Sequence, residues 1–423
     1  MTFLKTGLLN GLAVSVKMLT LLCINKVLAV YVGPSGYASL GQFQNAVQMI
    51  TTFASGAINT GVTKYTAEYH EDVVLQRSVW RTAGTISICG ALAVGLIVAL
   101  FNKELALWFL KRSDYGSVFI WFSISLIFFV TNALLLAILN GRKDIFRFVT
   151  ANVCGSIFAL VITTIMAMRL GLYGALVALA IYQSLSCIVT FIIVFKAPWF
   201  HVGDIFGGVN KKIAVNLLKF TAMALTSAAC VPLSHIFIRA HLGHTLGWES
   251  AGYWEAVWRL SAAYLMFITT TLSVYYLPRF SELKEADAII YEIRRGYKVI
   301  LPIAAFCGLA IYLLRDLVIQ LLFTSQFYPM RDLFGWQMFG DTLKIGSWIL
   351  AYLMLGKAMY KTFIITEVFF AASFVVLTFY FTNLYGLQGV AIAHAANYAA
   401  YWLIMGCCMS HRLKNAGHTE VID

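Results

Sequence analysis

The sequence predicts an all-α polytopic membrane protein with about twelve transmembrane helices in two pseudo-symmetric six-helix lobes. Hydrophobic residues make up 60% of the 423-residue chain and charged residues only 12%, whereas soluble domains carry about 25% charged residues. About twelve apolar stretches reach the roughly 20 residues that a helix needs to cross a bilayer. The second six stretches repeat the pattern of the first six at an offset of 215 positions.

Short motifs recur at this fixed spacing and support the internal repeat. Gly141–Arg142 recurs as Gly356–Lys357, and Gly171–Gly174 recurs as Gly386–Gly389. A membrane protein built from two like-oriented halves is expected to have a cleft between them, where a substrate can be held and passed across.

Each predicted span is helical, because lipid cannot satisfy the polar groups of an open backbone. The spans of the first half are residues 8–31, 40–60, 83–100, 117–139, 148–168 and 173–195. Those of the second half are residues 220–238, 252–277, 299–323, 334–355, 363–381 and 387–409. The predicted lobes are therefore residues 1–197 and 220–423. The linker at 198–219 is either a flexible interfacial connector or an ordinary solvated loop.

Basic residues are distributed unequally between the two sides of these spans. Of the 31 Lys and Arg residues, 20 lie in segments on the side of the termini, 7 on the opposite side and 4 inside spans. The positive-inside rule therefore predicts that both termini are cytoplasmic. The net charge of +12 is explained by this orientation, so nucleic acid is not an expected partner.

Charged residues inside spans are candidate functional sites, because a charge at mid-bilayer costs about 3 kcal/mol or more. Lys17 lies near the middle of the first span, whereas Lys26 lies near its outer end and can snorkel to the interface. At about 100° per residue their spacing puts them on opposite faces of an ideal helix. Both would face one cavity only if the helix bends.

The second predicted span carries a stripe of polar residues at spacings of three and four. Its members are Asn45, Gln48, Thr52, Ser55 and Asn59. This spacing keeps them on one helix face. The stripe indicates a wet surface that lines a cavity, with hydrogen bonds to a neighbouring helix as the alternative.

A charged pair with aromatic neighbours lies in the eighth span. Glu255 and Arg259 are one turn apart and follow Trp254. They form either an ion pair that neutralises itself or a cavity arginine held by a glutamate, beside aromatic faces that suit sugar rings.

The last three spans contain further ionisable candidates. Asp341 and Lys344, three positions apart, present the same two alternatives. Glu367 is a candidate ion-coupling residue, unless a partner on another helix pairs it. Together with the glutamate of the eighth span, Asp341 and Glu367 are the candidates for H+ or Na+ coupling. His394 and Asn397 favour a packed, hydrogen-bonded histidine over a proton relay.

Catalytic residues, metal ligands and cofactors are not predicted. Walker, His-Glu-x-x-His and Gly-x-Ser-x-Gly motifs are absent from the sequence. His235, His241 and His244 lack the nearby acidic or thiolate ligand that a zinc site would need. The energy for transport is therefore expected from an ion gradient, the membrane potential or a substrate gradient.

Several short motifs are recognisable along the chain, namely Gly33–Pro34, Gly61–Tyr65, Leu314–Asp316, Met330–Gln337 and Gly340–Lys344. With these motifs the chain resembles the Wzx-type polysaccharide flippases, or O-antigen translocases, of the MOP exporter superfamily. The resemblance extends along nearly the whole chain and includes the lipid III flippase of enterobacterial common antigen.

Individual charged residues differ in how they fit this resemblance. Lys17, Lys26, Asp341 and Lys344 match the family pattern. The charged pair of the eighth span departs from the lipid III flippase pattern, where uncharged residues are expected. This departure is compatible with a different glycan.

The resemblance implies a fold of the MOP or MATE type that works by alternating access. It implies a substrate of undecaprenyl-diphosphate-linked oligosaccharide, an O-antigen or enterobacterial common antigen repeat unit. This substrate would move from the cytoplasmic to the periplasmic leaflet of the bacterial inner membrane. Inner-membrane lipids, a glycan polymerase and a chain-length regulator are the implied partners.

Two other classes of protein compete with this interpretation. A MATE-like antiporter for drugs or organic cations would be expected to carry acidic cavity residues, whereas the candidates here are mainly basic. A membrane glycan polymerase or ligase would carry out its chemistry in large outer loops, whereas the predicted outer loops are short.

The predicted substrate-binding residues combine cations with polar and aromatic side chains. They are Lys17, Lys26, Asn45, Gln48, Asn59, Trp254, Arg259 and Lys344. A diphosphate needs cationic partners, because unpaired charges cannot cross hydrocarbon at acceptable cost. Lys17 is the predicted phosphate-pairing residue, with Arg259 and Lys344 as helpers.

Overall fold

Helices account for the regular structure of the described chain. The computed structural model describes residues 3–357 and 359–416. The first-half helices are α1 (Phe3–Tyr31), α2 (Gly33–Ala54), α3 (Asn59–Glu68), α4 (Val73–Leu100), α5 (Asn102–Leu110), α6 (Gly116–Gly141) and α7 (Ile145–Phe195). The second-half helices are α8 (Lys211–Thr245), α9 (Trp248–Thr271), α10 (Leu277–Glu282), α11 (Ala286–Leu313), α12 (Arg315–Leu322), α13 (Phe334–Gly356), α14 (Tyr360–Tyr385) and α15 (Gln388–Ala416).

The described ranges contain twelve long helices once α7 is divided at its bend at Gly171. Eight helices of the described part of the chain, with α7 counted once, are long and apolar enough to cross a membrane. The three remaining long helices are α2, α9 and α13, of 22, 24 and 23 residues. These more polar helices carry most of the candidate site residues.

The internal repeat extends to backbone geometry. Gly171 has φ 54° and ψ −134°, and Gly386 has φ 57° and ψ −137°, a left-handed conformation that glycine adopts at little cost. A Cβ on Gly174 would lie 1.9 Å from the carbonyl oxygen of Met166, and one on Gly389 would lie 2.2 Å from that of Phe381. The two turns are 215 positions apart and are built in the same way.

The second predicted span is broken where the sequence suggested one continuous helix. Helix α2 ends at Ala54, and Gly56 and Ala57 have φ values of 62° and 53°. Helix α3 then begins at Asn59. The prediction of one polar stripe from Asn45 to Asn59 is therefore wrong, because two left-handed residues redirect the chain before Asn59.

The linker after α7 is packed against α4 and is not a free connector. Asp204 is buried, and its carboxylate lies 2.8 Å from Arg81 and 3.2 Å from Arg77. A Cβ on Gly84 would lie 1.7 Å from the carbonyl oxygen of Ile205, so the missing side chain allows close contact. The flexible connector is therefore contradicted, and residues 211–219 of the predicted linker form the first turns of α8.

The described chain divides into two compact units. The first unit extends to Val32 and includes Ser39–Pro232. The second unit comprises Gly33–Ala38 and the chain from Leu233 onward. Helices α2 and α8 thus contribute to both units, whereas the predicted lobes divide the chain at the linker.

Glycines allow close helix packing inside the second unit. A Cβ on Gly340 of α13 would lie 2.4 Å from a ring carbon of His394 on α15. A Cβ on Gly346 would lie 2.9 Å from the Trp402 ring. Close approach of α13 and α15 brings the polar residues of both helices together.

Candidate functional site

A buried three-residue ion cluster lies in the second unit. One Glu255 carboxylate oxygen lies 2.5 Å from Nη1 of Arg239, and the other lies 2.7 Å from Nε of Arg259. The side chains of Arg239, Glu255 and Arg259 are 1%, 6% and 9% exposed, respectively. The carboxylate is thus shared by two guanidinium groups, and one positive charge remains in excess.

Arg239 was missed in the sequence analysis because the seventh span was predicted to end at Ile238. Helix α8 continues to Thr245, so Arg239 is inside the helix and not in an outer loop. His235 could have indicated this, because it lies one helical turn before Arg239 and the two side chains share a helix face. Two ionisable residues at that spacing are a reason to extend the predicted span past Ile238.

Aromatic rings cover both arginines of the cluster. The guanidinium of Arg259 lies 5.5 Å from the ring centre of Tyr37, and that of Arg239 lies 5.7 Å from the Trp254 ring. Trp254 has 0% relative exposure. Its indole also contacts His235 and Phe374. In this structure Trp254 packs around the cluster and presents no open ring face.

A second polar network is centred on Asp341. One carboxylate oxygen accepts a hydrogen bond from Gln337 at 3.2 Å and lies 3.0 Å from Nε2 of His394. The other oxygen accepts a hydrogen bond from the Tyr264 hydroxyl at 2.8 Å. Asp341 and His394 are fully buried. The prediction of a packed, hydrogen-bonded histidine is confirmed by this geometry.

Lys344 lies among aromatic rings and is separate from this network. Its ammonium lies 4.6 Å from the ring centre of Trp258, 4.9 Å from Trp348 and 5.7 Å from Tyr398. Within the part of the chain that the structure describes, Lys344 makes no direct ion pair. The suggested Asp341–Lys344 pair is therefore not formed, because Asp341 bonds with three other side chains.

The remaining candidates vary in exposure. In the first unit Lys17 and Gln48 are exposed, whereas Lys26, Asn45 and Asn59 are half-buried. The Asn45 amide donates a hydrogen bond of 3.4 Å to the carbonyl of Pro232. In the second unit Glu367 is half-buried on α14 and has an interaction partner. The roles of all these residues in substrate binding or coupling remain predictions.

The two polar networks, taken together with Lys344, carry more positive than negative charge. Three cations, Arg239, Arg259 and Lys344, lie in the two networks or beside them with two carboxylates, Glu255 and Asp341. One positive charge is left in excess when the histidines are neutral. Among the described residues, no group of three or more His, Cys, Asp or Glu side chains is placed to hold a metal ion.

The repeated long apolar helices define a multi-pass membrane protein. The structure superposes on a MATE-family multidrug transporter of the MOP superfamily, solved in an inward-facing conformation, with a TM-score of 0.76 and 17% identity. The match covers 96% of each chain. The fold is therefore that of the MOP superfamily exporters.

The family is shown by sequence comparison. The model of the polysaccharide biosynthesis protein family matches residues 3–284, and the chain belongs to this family. It is 31% identical over 409 residues to the lipid III flippases of Escherichia coli (strain K12) and Shigella flexneri. The alignment covers 96% of this chain and 98% of each relative.

Proposed function

We propose that this protein is a flippase for undecaprenyl-diphosphate-linked oligosaccharide. It moves the glycan from the cytoplasmic to the periplasmic leaflet of the bacterial inner membrane by alternating access, with both termini in the cytoplasm. The excess positive charge of the buried Arg239–Glu255–Arg259 cluster, with Lys344 nearby, carries the proposal, since a diphosphate group needs such a partner in a low-dielectric interior. Family membership and the identity to lipid III flippases support the same substrate class.

The polar and apolar parts of such a substrate need different surroundings. The diphosphate and the sugars need cations and hydrogen-bonding groups, whereas the polyprenyl chain can stay in lipid. The energy would come from H+ or Na+ coupling through Glu255, Asp341 or Glu367, or from the membrane potential. A glycan polymerase and a chain-length regulator are the partners that would receive the translocated repeat unit.

Lys17 is the proposed phosphate-pairing residue of the first unit. It is exposed on α1 and lies far from either end of this 29-residue helix. Lys26, Asn45, Gln48 and Asn59 are proposed polar contacts to the glycan. In the second unit, Arg259 and Lys344 are the proposed cationic helpers, with Trp254 packed behind the arginines.

Deletion of the gene in its native bacterium tests the proposed function. We expect lipid-linked oligosaccharide to accumulate in the cytoplasmic leaflet and the surface glycan to disappear, with both restored by the wild-type gene. A Lys17→Ala variant should fail to restore export at normal membrane abundance, whereas Lys103→Ala, at an exposed position at the start of α5, should restore it. Unchanged surface glycan in the deletion strain, with a gain of drug sensitivity, would instead indicate a drug antiporter.

A further inference from the structure

Three aromatic side chains form a cage around the Lys344 ammonium in the second unit. Trp258 lies on α9, Trp348 on α13 one turn after Lys344, and Tyr398 on α15. Their ring centres lie 4.6, 4.9 and 5.7 Å from the ammonium nitrogen. Three separate helices thus converge on one cation, and we refer to these three rings as the aromatic cage.

The positive charge of Lys344 is not balanced by a bonded carboxylate. Asp341 acts on it electrostatically, but the oxygens of Asp341 already interact with Tyr264, Gln337 and His394. The three cation–π contacts, at about 0.5–2 kcal/mol each, offset much of the cost of about 3 kcal/mol or more for an unpaired charge at bilayer depth. They do not neutralise the charge, so an anion that reaches Lys344 adds an attraction that the rings do not supply.

The cage is more accessible than the networks beside it. Lys344, Trp258, Trp348 and Tyr398 are all half-buried. In contrast, Asp341 and the neighbouring ion cluster are buried. The cage residues therefore keep surface that a ligand can contact.

The repeat shows that the scaffold does not require a cation at this place. The position 215 residues before Lys344 is Phe129, which is 1% exposed and packs against Phe122 at 5.5 Å between ring centres. A phenylalanine fills the equivalent space in the first unit by ordinary packing. A lysine surrounded by rings in the second unit is thus better explained by a ligand than by the demands of the fold.

We propose that Lys344 and the aromatic cage bind the glycosyl phosphate junction of the substrate, the first sugar together with the phosphate that carries it. The ammonium pairs with a phosphate oxygen, and an indole stacks on the apolar C–H face of the sugar ring. This inference rests on the proposed function and deepens it.

Binding to the full-length protein in lipid nanodiscs tests the proposal with two matched probes. One probe is farnesyl diphosphate, and the other is farnesyl diphosphate linked to a single N-acetylhexosamine. The wild-type protein should bind the sugar-bearing probe about tenfold more tightly, which corresponds to about 1.4 kcal/mol. Lys344→Gln should weaken both probes about tenfold, and Lys344→Arg should retain most of the affinity.

Tryptophan variants separate sugar recognition from anion binding. Trp258→Leu and Trp348→Leu should abolish the preference for the sugar-bearing probe and leave the affinity for farnesyl diphosphate nearly unchanged, while Trp348→Phe should keep part of the preference. Trp336→Leu is the matched control, because Trp336 lies on the same helix as Trp348 and is 45% exposed. It should bind both probes as the wild-type protein does.

The possible failures are distinguishable. A wild-type protein that restores glycan export but binds both probes equally overturns the subsite and leaves the proposed function standing. Cage variants that bind both probes as tightly as the wild-type protein also overturn the subsite. In that case the aromatic cage serves only to pack around Lys344. A protein that neither restores export nor binds either probe overturns the proposed function and the subsite with it.

Discussion

The two units share a helical scaffold but differ in what fills their interiors. In the first unit, Phe43, Phe122, Phe129 and Tyr182 form a continuous series of ring contacts, with successive centres 6.2, 5.5 and 5.8 Å apart. These rings provide apolar packing of the kind that holds helices together.

At the same repeat positions the second unit has mostly polar residues. The positions 215 residues further on are Trp258, Gln337, Lys344 and Asn397. The first unit demonstrates that this scaffold can be filled with aromatic residues. The polar residues of the second unit therefore point to a binding role, which the following four changes would test from the largest expected effect to the smallest.

Replacement of Glu255 by Gln should have the largest effect on stability. It would leave Arg239 and Arg259 buried without a counter-charge, at a cost of about 3–5 kcal/mol. The matching position in the first unit is Leu40, which is buried and apolar. Thermal unfolding of the purified protein and its abundance in membranes measure the loss.

A triple variant provides the control for this change. Arg239→Met, Glu255→Leu and Arg259→Met together remove all three charges, and such replacements are often neutral or stabilising. The triple variant should therefore unfold at a higher temperature than Glu255→Gln. An unchanged unfolding temperature for Glu255→Gln would contradict the buried cluster.

Alanine substitutions at Phe129 and Lys344 compare equivalent positions directly. Phe129→Ala removes a fully buried ring and should cost about 3–5 kcal/mol. Lys344→Ala removes three cation–π contacts but also a half-buried charge with no bonded carboxylate, so the two effects offset each other and stability should change by only about 1 kcal/mol. Unfolding temperatures and glycan export are measured for both variants.

The two variants should also differ in phenotype at matched abundance. The protein that remains folded in Phe129→Ala should still export glycan, whereas Lys344→Ala should lose export while remaining folded. Equal losses of stability in the two variants would remove the proposed contrast between packing and binding.

Alanine at Gly174 and at Gly389 should destabilise the protein to a similar extent. Each new Cβ would lie within 2.2 Å of a carbonyl oxygen in the preceding helix, and such overpacking costs about 1–3 kcal/mol. Gly406→Ala is the control, because a Cβ there meets nothing within 4 Å. A loss at only one of the two repeat positions would show that the turns are not equivalent.

Arg81→Gln should have the smallest effect. Arg81 is 45% exposed, and Arg77 would still pair with Asp204, so the expected loss is about 1 kcal/mol or less. The change compares a solvent-screened ion pair of the first unit with the buried one of the second. The unfolding temperature and the rate of proteolysis in the linker measure this loss of stability. If Arg81→Gln lowered the unfolding temperature as much as Glu255→Gln does, burial would not explain the difference between the two ion pairs.

Much of the scaffold could be predicted from local patterns. Apolar length predicted the long helices, and the recurrence of Gly171 as Gly386 indicated the internal repeat, which the similar backbone angles of the two turns bear out. The break after Ala54 was missed, because Ala57 adopts a left-handed conformation that an alanine gives no reason to expect. Arg239 was placed in a loop because hydropathy alone does not locate the end of a helix that contains a buried charge.

The sequence by itself determined that this chain crosses a membrane as a duplicated set of helices, because in lipid each helix must satisfy its own backbone. Only the tertiary structure decided which charges meet. Asp341 is paired with His394, 53 positions away, and not with its near neighbour Lys344. Lys344 instead contacts rings from three helices. Such partnerships depend on the packing of distant segments, which local spacing does not specify.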